Sequence, residues 1–155
     1  MIRAIDLPFM PVIRLAETDA DIARCFPVMV QLRTQLNADR FVTRIRRMQA
    51  EGYVLALLED DAKVVRAVGG FRLRDMLVHG RTMYVDDLVT DAGSRSLGHG
   101  RMLFDWLVAR ARAEGCHEFS LDSGTHRHDA HRFYFRQRMR ISSHHFSLKL
   151  AEPPA

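Results

Sequence analysis

Apolar residues in the first third of the chain recur at the three- and four-residue spacing of helices. A first helix is expected after Thr18, a suitable N-cap that is followed by an acidic first turn. Pro27 interrupts the apolar spacing, so this helix is expected to kink or restart there. A second helix is expected over residues 39–51, where Gly52 ends it. The apolar positions of the first helix are Ile22, Phe26, Met29, Val30 and Leu36.

Between residues 53 and 90 the pattern changes to short apolar runs separated by turn-forming residues, which is typical of strands. One run contains the pair Gly69-Gly70, and glycines inside a strand favour a bulge or a close backbone approach. Strands are expected over residues 12–16, 53–58, 64–73 and 81–90.

From residue 90 onwards the elements alternate between helix and strand. A strand, a crossover helix and a second strand imply at least one parallel pair, whereas the earlier runs favour antiparallel neighbours. The pattern predicts an α/β (α+β) fold with a mixed, mostly antiparallel central sheet, a parallel pair and helices on both faces. The elements expected here are a helix over 102–114, a strand over 117–121, a helix over 129–139 and a last strand over 141–150.

The composition is that of one globular domain, with 155 residues, 47% hydrophobic and 27% charged. We expect a core over about 12–150, with tails at 1–11 and 151–155. The sequence contains no apolar run of about 18 residues, and residues 1–11 make a poor secretory signal. Cys25 and Cys116 lie far apart, which favours a reduced, cytoplasmic setting and leaves a single disulfide open.

The formal net charge is +4, which favours anionic partners. The densest basic stretch is Arg40–Arg47, where Phe41 and Ile45 recur at helical spacing between the arginines. We therefore expect a solvated helix face there, with nucleic-acid contact as the alternative. The sequence carries no RNA-recognition, zinc-finger or leucine-zipper motif that would support the alternative.

A loop at residues 95–100 separates an expected strand from an expected helix. A helix N-terminus offers unpaired N–H groups and the positive end of the helix dipole. Gly98 and Gly100 let an anion approach the backbone, and Arg95 and Arg101 add charge. A mononucleotide P-loop is excluded because no Lys-Ser or Lys-Thr pair follows Gly100, and a dinucleotide fingerprint because position 103 is Leu.

The pattern Arg95-x-x-Gly98-x-Gly100 resembles the acetyl-CoA signature of the GNAT N-acetyltransferase superfamily. The preceding strand, residues 83–90, is similar to the strand that leads into that signature. Ala130-His131-Arg132-Phe133-Tyr134 reproduces a later helix motif of the family. The resemblance covers about residues 12–150. Two positions depart from it: Arg127 replaces a frequent Asn, which puts one cofactor hydrogen bond in doubt, and Arg138-Met139 replaces a Gly-Phe pair.

The resemblance implies a GNAT-like fold and transfer of an acetyl group from acetyl-CoA to a primary amine in a ternary complex, without a metal. The pantetheine arm of coenzyme A would pair with main chain where the strand parts from its neighbour at a bulge. His99 is expected to contribute backbone only, with an exposed side chain. The implied cofactor-binding residues are Leu88, Val89, Thr90, Arg95, Ser96, Leu97, Gly98, His99, Gly100, Arg101, Arg127 and Tyr134.

The resemblance also indicates catalytic candidates. Tyr134 would protonate the departing thiolate, although a core aromatic is the alternative. Asp86 and Asp87 lie at the expected bulge, as a base or as an amine-binding pair. His126 is a further candidate base. A metal site among the clustered histidines is not expected, because ligands must converge with second-shell support.

The acceptor stays open between a small-molecule amine and a peptide amine. Arginines at 32–48 and 72–81, where family members form their substrate walls, favour an amine that also bears a carboxylate or phosphate. Two alternatives remain: a degenerate acyl-CoA sensor domain without turnover, and an RNA-linked acetyltransferase acting on aminoacyl-tRNA. We expect no membrane partner and allow a homodimer.

Overall fold

The computed structural model describes residues 10–152. The secretory-signal prediction and most of both predicted tails lie outside the described residues. The chain divides into two compact units, one that extends to Ser120 and one that begins at Leu121.

The first unit contains a five-stranded sheet with the strand order β1-β2-β3-β4-β5. The pairs β1–β2, β2–β3 and β3–β4 are antiparallel. The helix α3 crosses between the neighbouring strands β4 and β5, which form the parallel pair. This confirms the predicted mixed sheet. The elements are β1 (Val12–Leu15), α1 (Asp19–Leu32), α2 (Ala38–Ala50), β2 (Tyr53–Glu59), β3 (Val65–Met76), β4 (Gly80–Thr90), α3 (His99–Ala113), β5 (Glu118–Leu121) and α4 (His128–Arg136).

The consecutive glycines of β3 show how the helices cover both faces of the sheet. A Cβ added to Gly69 would meet the Leu107 side chain of α3 at 3.3 Å. A Cβ added to Gly70 would point to the other face and meet the Tyr53 hydroxyl at 1.8 Å. The second face carries the main apolar core, which includes Ile22, Cys25 and Met29 of α1, Phe41 and Ile45 of α2, and Leu55, Leu57 and Val68 of the sheet.

Helix α1 begins as predicted, because the Thr18 hydroxyl accepts a hydrogen bond from the Asp21 N–H at 3.1 Å. The helix runs through Pro27 without a break, so the predicted restart does not occur. Proline removes one N–H group, but the buried residues Cys25 and Met29 on either side hold both halves of the helix against the core.

The strand predicted over 141–150 is wrong, because these residues have no regular secondary structure. Their apolar and polar residues alternate, but a strand also needs a neighbour to pair its backbone and a face to bury its side chains. Phe146, Leu148 and Leu150 are all at least 84% exposed, so the alternation faces no core.

Both cysteines are free thiols, Cys25 in the core and Cys116 half-buried. Within residues 10–152, no helix has the length and apolar character needed to cross a membrane.

Candidate active site

Strand β4 contains a bulge at Asp86. Asp87 pairs with Gly70 of β3, but the next pair is Val85 with Phe71, so Asp86 is an extra residue without a partner. Side chains of a regular strand alternate between faces. The bulge cancels this alternation, and Asp86 and Asp87 both line one cavity. The structure therefore contains the bulge that the family resemblance implied.

The cavity has a volume of about 320 Å³ and lies between α1, α2 and the sheet. Apolar side chains of α1, α2 and the segment between them form one part of the wall. Polar side chains of that segment, α2, β2 and β4 form the rest. Its lining residues are Met29, Arg33, Gln35, Leu36, Phe41, Arg44, Ile45, Met48, Tyr53, Tyr84, Asp86 and Asp87.

Asp87 is held from two sides. The Tyr53 hydroxyl donates to Oδ2 at 2.8 Å, and Arg33 Nε donates to Oδ1 at 2.7 Å. The same guanidinium donates from Nη2 to the carbonyl oxygen of Asp86 at 2.8 Å. Burial, together with the neighbouring Asp87 carboxylate, raises the pKa of Tyr53 well above its usual value, so Tyr53 is a neutral donor. Gly70 makes the network possible, because any side chain there would occupy the position of the Tyr53 ring.

Asp86 has a different environment. Its Oδ2 is buried and has no hydrogen-bond partner among the described residues. Arg72 Nε lies 3.4 Å from this oxygen, close enough for charge attraction but without hydrogen-bond geometry. Burial raises the pKa of Asp86, Arg72 opposes that shift, and Asp87 adds to it. A carboxyl group with a raised pKa that faces a cavity is suited to accept a proton near neutral pH.

The end of β4 leads into the loop before α3. Gly98 is the N-cap of α3 with a φ of +84° and provides no side-chain cap. The first intrahelical bond runs from Met102 N–H to Gly98 C=O at 3.0 Å, so the N–H groups of the first turn are not used within the helix. A Cβ on Gly98 would meet nothing within 4 Å, and the residues from Arg95 to Gly98 are exposed. This loop is open to an anion.

Gly100 and Thr90 are in close contact in this region. A Cβ on Gly100 would lie 2.8 Å from the Thr90 hydroxyl, so the glycine lets the strand end approach the helix. Arg101 is 70% exposed and pairs with Asp105 at 3.5 Å. The exposed Arg95 and Ser96 and the uncapped N–H groups are suited to an anion such as a phosphate group.

The expectation of an exposed His99 side chain is wrong. His99 is 8% exposed, and its Nδ1 has no hydrogen-bond partner within the described chain. The reason is that α3 begins at His99, three residues earlier than predicted, which turns this side chain inward. A buried ring nitrogen without a partner at this helix start also fits a bound ligand.

The main chain at Leu88 and Val89 pairs with β3, at Gly69 and Val68 respectively. The Val89 side chain is in the core, and Leu88 is half-buried. On its other side, β4 meets β5 near its beginning, where His117 N–H donates to Arg81 C=O at 2.7 Å. Because β5 runs parallel to β4 and ends at residue 121, it stops before it reaches the level of Leu88. The edge of β4 that faces β5 is therefore not covered by β5 at Leu88.

The second unit contains Tyr134 on α4. Its half-buried side chain lines a cavity of about 380 Å³ together with Ser123, His131 and His144. Burial raises the pKa of the Tyr134 hydroxyl, and the charge of Arg127 opposes that shift. Arg127 is the N-cap residue of α4, without a side-chain capping bond.

His126 is exposed and is not among the residues that line this cavity. Its ring packs against Gly124, where an added Cβ would lie 2.8 Å away. Among residues 10–152, no group of three or more His, Cys, Asp or Glu side chains is arranged to hold a metal ion.

Sequence reasoning missed Tyr53, and it placed Arg33 and Arg72 only within two arginine-containing ranges of the expected substrate walls, without connecting them to the aspartates. The sequence signal for Tyr53 was the glycine pair in β3, which indicated a close approach without identifying the approaching group. Arg33 and Tyr53 are 54 and 34 residues away from Asp87 in the chain, and no local pattern connects such positions.

The bulged strand that runs into the uncapped start of a crossover helix is the arrangement that the resemblance to a family of acyl-group transferases implied, and the similarity to known proteins agrees with it. Residues 16–138 match the model of the Acetyltransferase (GNAT) family. The chain belongs to the GNAT family of acetyltransferases and is an acyltransferase enzyme.

One relative supports this assignment, and two solved structures share the fold. The chain is 41% identical over 114 residues to "Uncharacterized N-acetyltransferase YhdJ" of Bacillus subtilis (strain 168), an alignment that covers 72% of this chain and 79% of that protein. The structure is similar to a transcriptional regulator from Bacillus halodurans C-125, with a TM-score of 0.78, 20% identity, and coverage of 91% of this chain and 100% of that one. It is also similar to glucosamine-6-phosphate N-acetyltransferase from Arabidopsis thaliana, with a TM-score of 0.74, 19% identity, and coverage of 92% and 99%.

Proposed function

We propose that this protein transfers the acetyl group of acetyl-CoA to a primary amine by direct attack in a ternary complex. The observation that carries the proposal is the bulge in β4, which directs the side chains of Asp86 and Asp87 toward the same cavity. The same strand continues to the uncapped start of α3. The two aspartates of the acceptor cavity and the phosphate-binding loop thus lie on one continuous segment of chain.

Coenzyme A would be held mainly by main chain. The N–H groups of the loop from Arg95 to Arg101 would bind its phosphates, aided by the arginine side chains. The backbone of Leu88 to Thr90 would pair with the pantetheine arm, and one N–H there would stabilise the oxygen of the thioester as it gains charge. Arg127 and Tyr134 complete the proposed set of contacts.

The chemistry needs one proton acceptor and one proton donor. Asp86 takes a proton from the bound ammonium, and the neutral amine then attacks the thioester carbonyl. The carbon–sulfur bond breaks, and the thiolate takes the proton of Tyr134. The nitrogen of the new amide loses its second proton to solvent, from which the Tyr134 oxygen regains one. Asp86 suits the base role because its pKa is raised and its Oδ2 accepts no hydrogen bond from the described residues. Asp87, bound by Tyr53 and Arg33, fixes the strand beside it. The ring of His126 is exposed, so we place the proton on Asp86 instead.

Calorimetric titration of acetyl-CoA tests the cofactor site. The Gly98→Trp variant places a large side chain where a Cβ meets open space beside the loop, so binding should fall at least tenfold. Gly115→Trp is the matched control, because Gly115 lies at the other end of α3, also has a positive φ of +72°, and also faces open space. Equal binding by Gly98→Trp and the control, or no binding by the folded wild type, would refute the proposed site.

Turnover separates the enzyme from an acyl-CoA sensor domain. Tight binding of acetyl-CoA without release of free thiol in the presence of any amine would favour the sensor. We propose a cytoplasmic location, with a small-molecule or peptide amine as the partner.

A further inference from the structure

The four arginines of α2 do not share one environment. Arg40, Arg46 and Arg47 are exposed, and Arg46 donates to Asp19 Oδ1 at 2.7 Å. Arg44 is half-buried and is the member of this group that lines the cavity. The predicted solvated face therefore applies to three of the arginines, whereas Arg44 is directed to the acceptor side of the helix.

The charged side chains that line the cavity lie on different walls. Arg33 is committed to the strand side, because it donates to Asp87 and to the Asp86 carbonyl. Arg33 and Asp87 thus form a neutral pair. Asp86 lies on the β4 wall, with Arg72 Nε 3.4 Å from its Oδ2. Arg44 lies on the α2 wall among Phe41, Ile45 and Met48. The cavity offers an acid at one side and a guanidinium at the other.

We propose that the amine acceptor also carries an oxyanion, a carboxylate or a phosphate ester, which Arg44 binds while the amine lies toward Asp86. This inference rests on the proposed acetyl transfer. A planar guanidinium with several parallel donors is suited to either oxyanion, and its weaker hydration makes partial burial tolerable. A volume of about 320 Å³ limits the acceptor to a small molecule, or to one residue at a chain end.

Matched pairs of amines test the proposal. β-Alanine is compared with propylamine, and O-phosphoethanolamine with ethanolamine, each by kcat/KM at saturating acetyl-CoA. The member with the oxyanion should be favoured about tenfold or more in at least one pair, the amount that a charge-assisted hydrogen bond supplies. The pair that shows the preference identifies the oxyanion.

Three variants assign the preference to Arg44. Arg44→Gln should abolish the preference for the amine that carries the oxyanion. A circular dichroism spectrum and a urea unfolding curve like those of the wild type show that the variant is folded. Arg44→Lys should retain part of the preference, because the charge remains and the planar fork is lost. Arg47→Gln removes an exposed arginine of the same helix and should leave kcat/KM unchanged for both amines of each pair.

A wild-type enzyme that prefers the amine without an oxyanion in both pairs, or shows no preference, would overturn the proposal. So would a preference that survives Arg44→Gln. If no amine is acetylated, the proposed function fails, and calorimetry of β-alanine against propylamine then decides the inference separately. Tighter binding of β-alanine that Arg44→Gln removes would support it, and equal binding would refute it.

Discussion

At the scale of residues, the two adjacent aspartates of β4 have different roles because their neighbours differ. Asp87 accepts hydrogen bonds from Tyr53 and Arg33, so it is committed to the structure. Asp86 has a buried oxygen that accepts no hydrogen bond from the described residues, with Arg72 3.4 Å away, and it faces the same cavity. Only the second arrangement leaves a carboxylate able to accept a proton from a substrate.

The pH dependence of kcat/KM distinguishes Asp86 as the base. The reactive state combines an ionised Asp86 with a protonated amine. Around neutral pH both groups are already in these states, so the wild-type kcat/KM should not change with pH there. It should fall as the pH drops through the pKa of Asp86, which lies above the usual aspartate value because burial disfavours the charged form. Asp86→Asn must use the small neutral fraction of the amine, so its rate should rise about tenfold per pH unit across the wild-type plateau.

The exposed Asp75 of β3 provides the control for this profile. Asp75→Asn should reproduce the wild-type plateau and its acidic fall. A plateau that persists in Asp86→Asn would show that another group takes the proton.

The two glycines of β3 test the packing under the site. Gly70→Ala should lower the free energy of unfolding by about 3 kcal/mol or more, because its Cβ would meet the buried Tyr53 hydroxyl at 1.8 Å. Gly69→Ala should change it by less than about 1 kcal/mol, because its Cβ meets the end of the flexible Leu107 side chain at 3.3 Å. Urea denaturation of both variants measures the difference, and equal losses would contradict this account.

At the scale of elements, a buried carboxylate links β1, α1 and β2. Glu59 is 3% exposed. Its Oε2 lies 2.7 Å from Arg24 Nη2 and 3.5 Å from Arg14 Nη2, and its Oε1 lies 3.3 Å from Lys63 Nζ. The three cations lie on three different segments, so this one side chain joins the ends of the elements that cover the core.

Glu59→Gln should destabilise the protein by about 2–3 kcal/mol at pH 7, because the three cations lose their counter-charge. The hydrogen bond from Arg24 lowers the pKa of Glu59 in the folded state below its usual 4.5, an effect that burial opposes. The charge of Glu59 therefore contributes its full stabilisation at pH values above the pKa that Glu59 has in the unfolded chain. This stabilisation is lost as the pH falls through the lower pKa that Glu59 has in the folded state.

Unfolding free energies at several pH values check this sign. The difference in unfolding free energy between the wild type and Glu59→Gln should be largest at neutral pH and should decrease below about pH 4.5. A gap that stays constant with pH would show that the charge of Glu59 contributes nothing.

At the scale of the whole molecule, ligand binding should appear as stability. Acetyl-CoA at about one hundred times its Kd should add about 2.7 kcal/mol to the folded state, which raises Tm by roughly 5–10 °C for a protein of this size. Gly98→Trp should show almost none of this rise, and Gly115→Trp should show all of it. A thermal scan at rising acetyl-CoA concentration measures the effect, and a rise that persists in Gly98→Trp would contradict the proposed position of the phosphates.

The sequence by itself determined most of the elements, because their signals are local. The apolar spacing of α1, α2 and α3 reports a periodicity of three to four residues, and Thr18 caps its own helix within three residues. The phosphate loop is equally local, since Gly98, Gly100 and the following helix start are contiguous. This is also why a family resemblance was visible at Arg95–Gly100.

Only the tertiary structure decided which side chains meet. The alternation in residues 141–150 predicted a strand, but a strand exists only where another segment pairs with it. His99 became buried because α3 starts earlier than its apolar stripe indicates. The network of Arg33, Tyr53 and Asp87, and the inward position of Arg44, depend on contacts between distant segments. Local sequence determines what a segment can form, whereas packing between segments determines what its side chains can do.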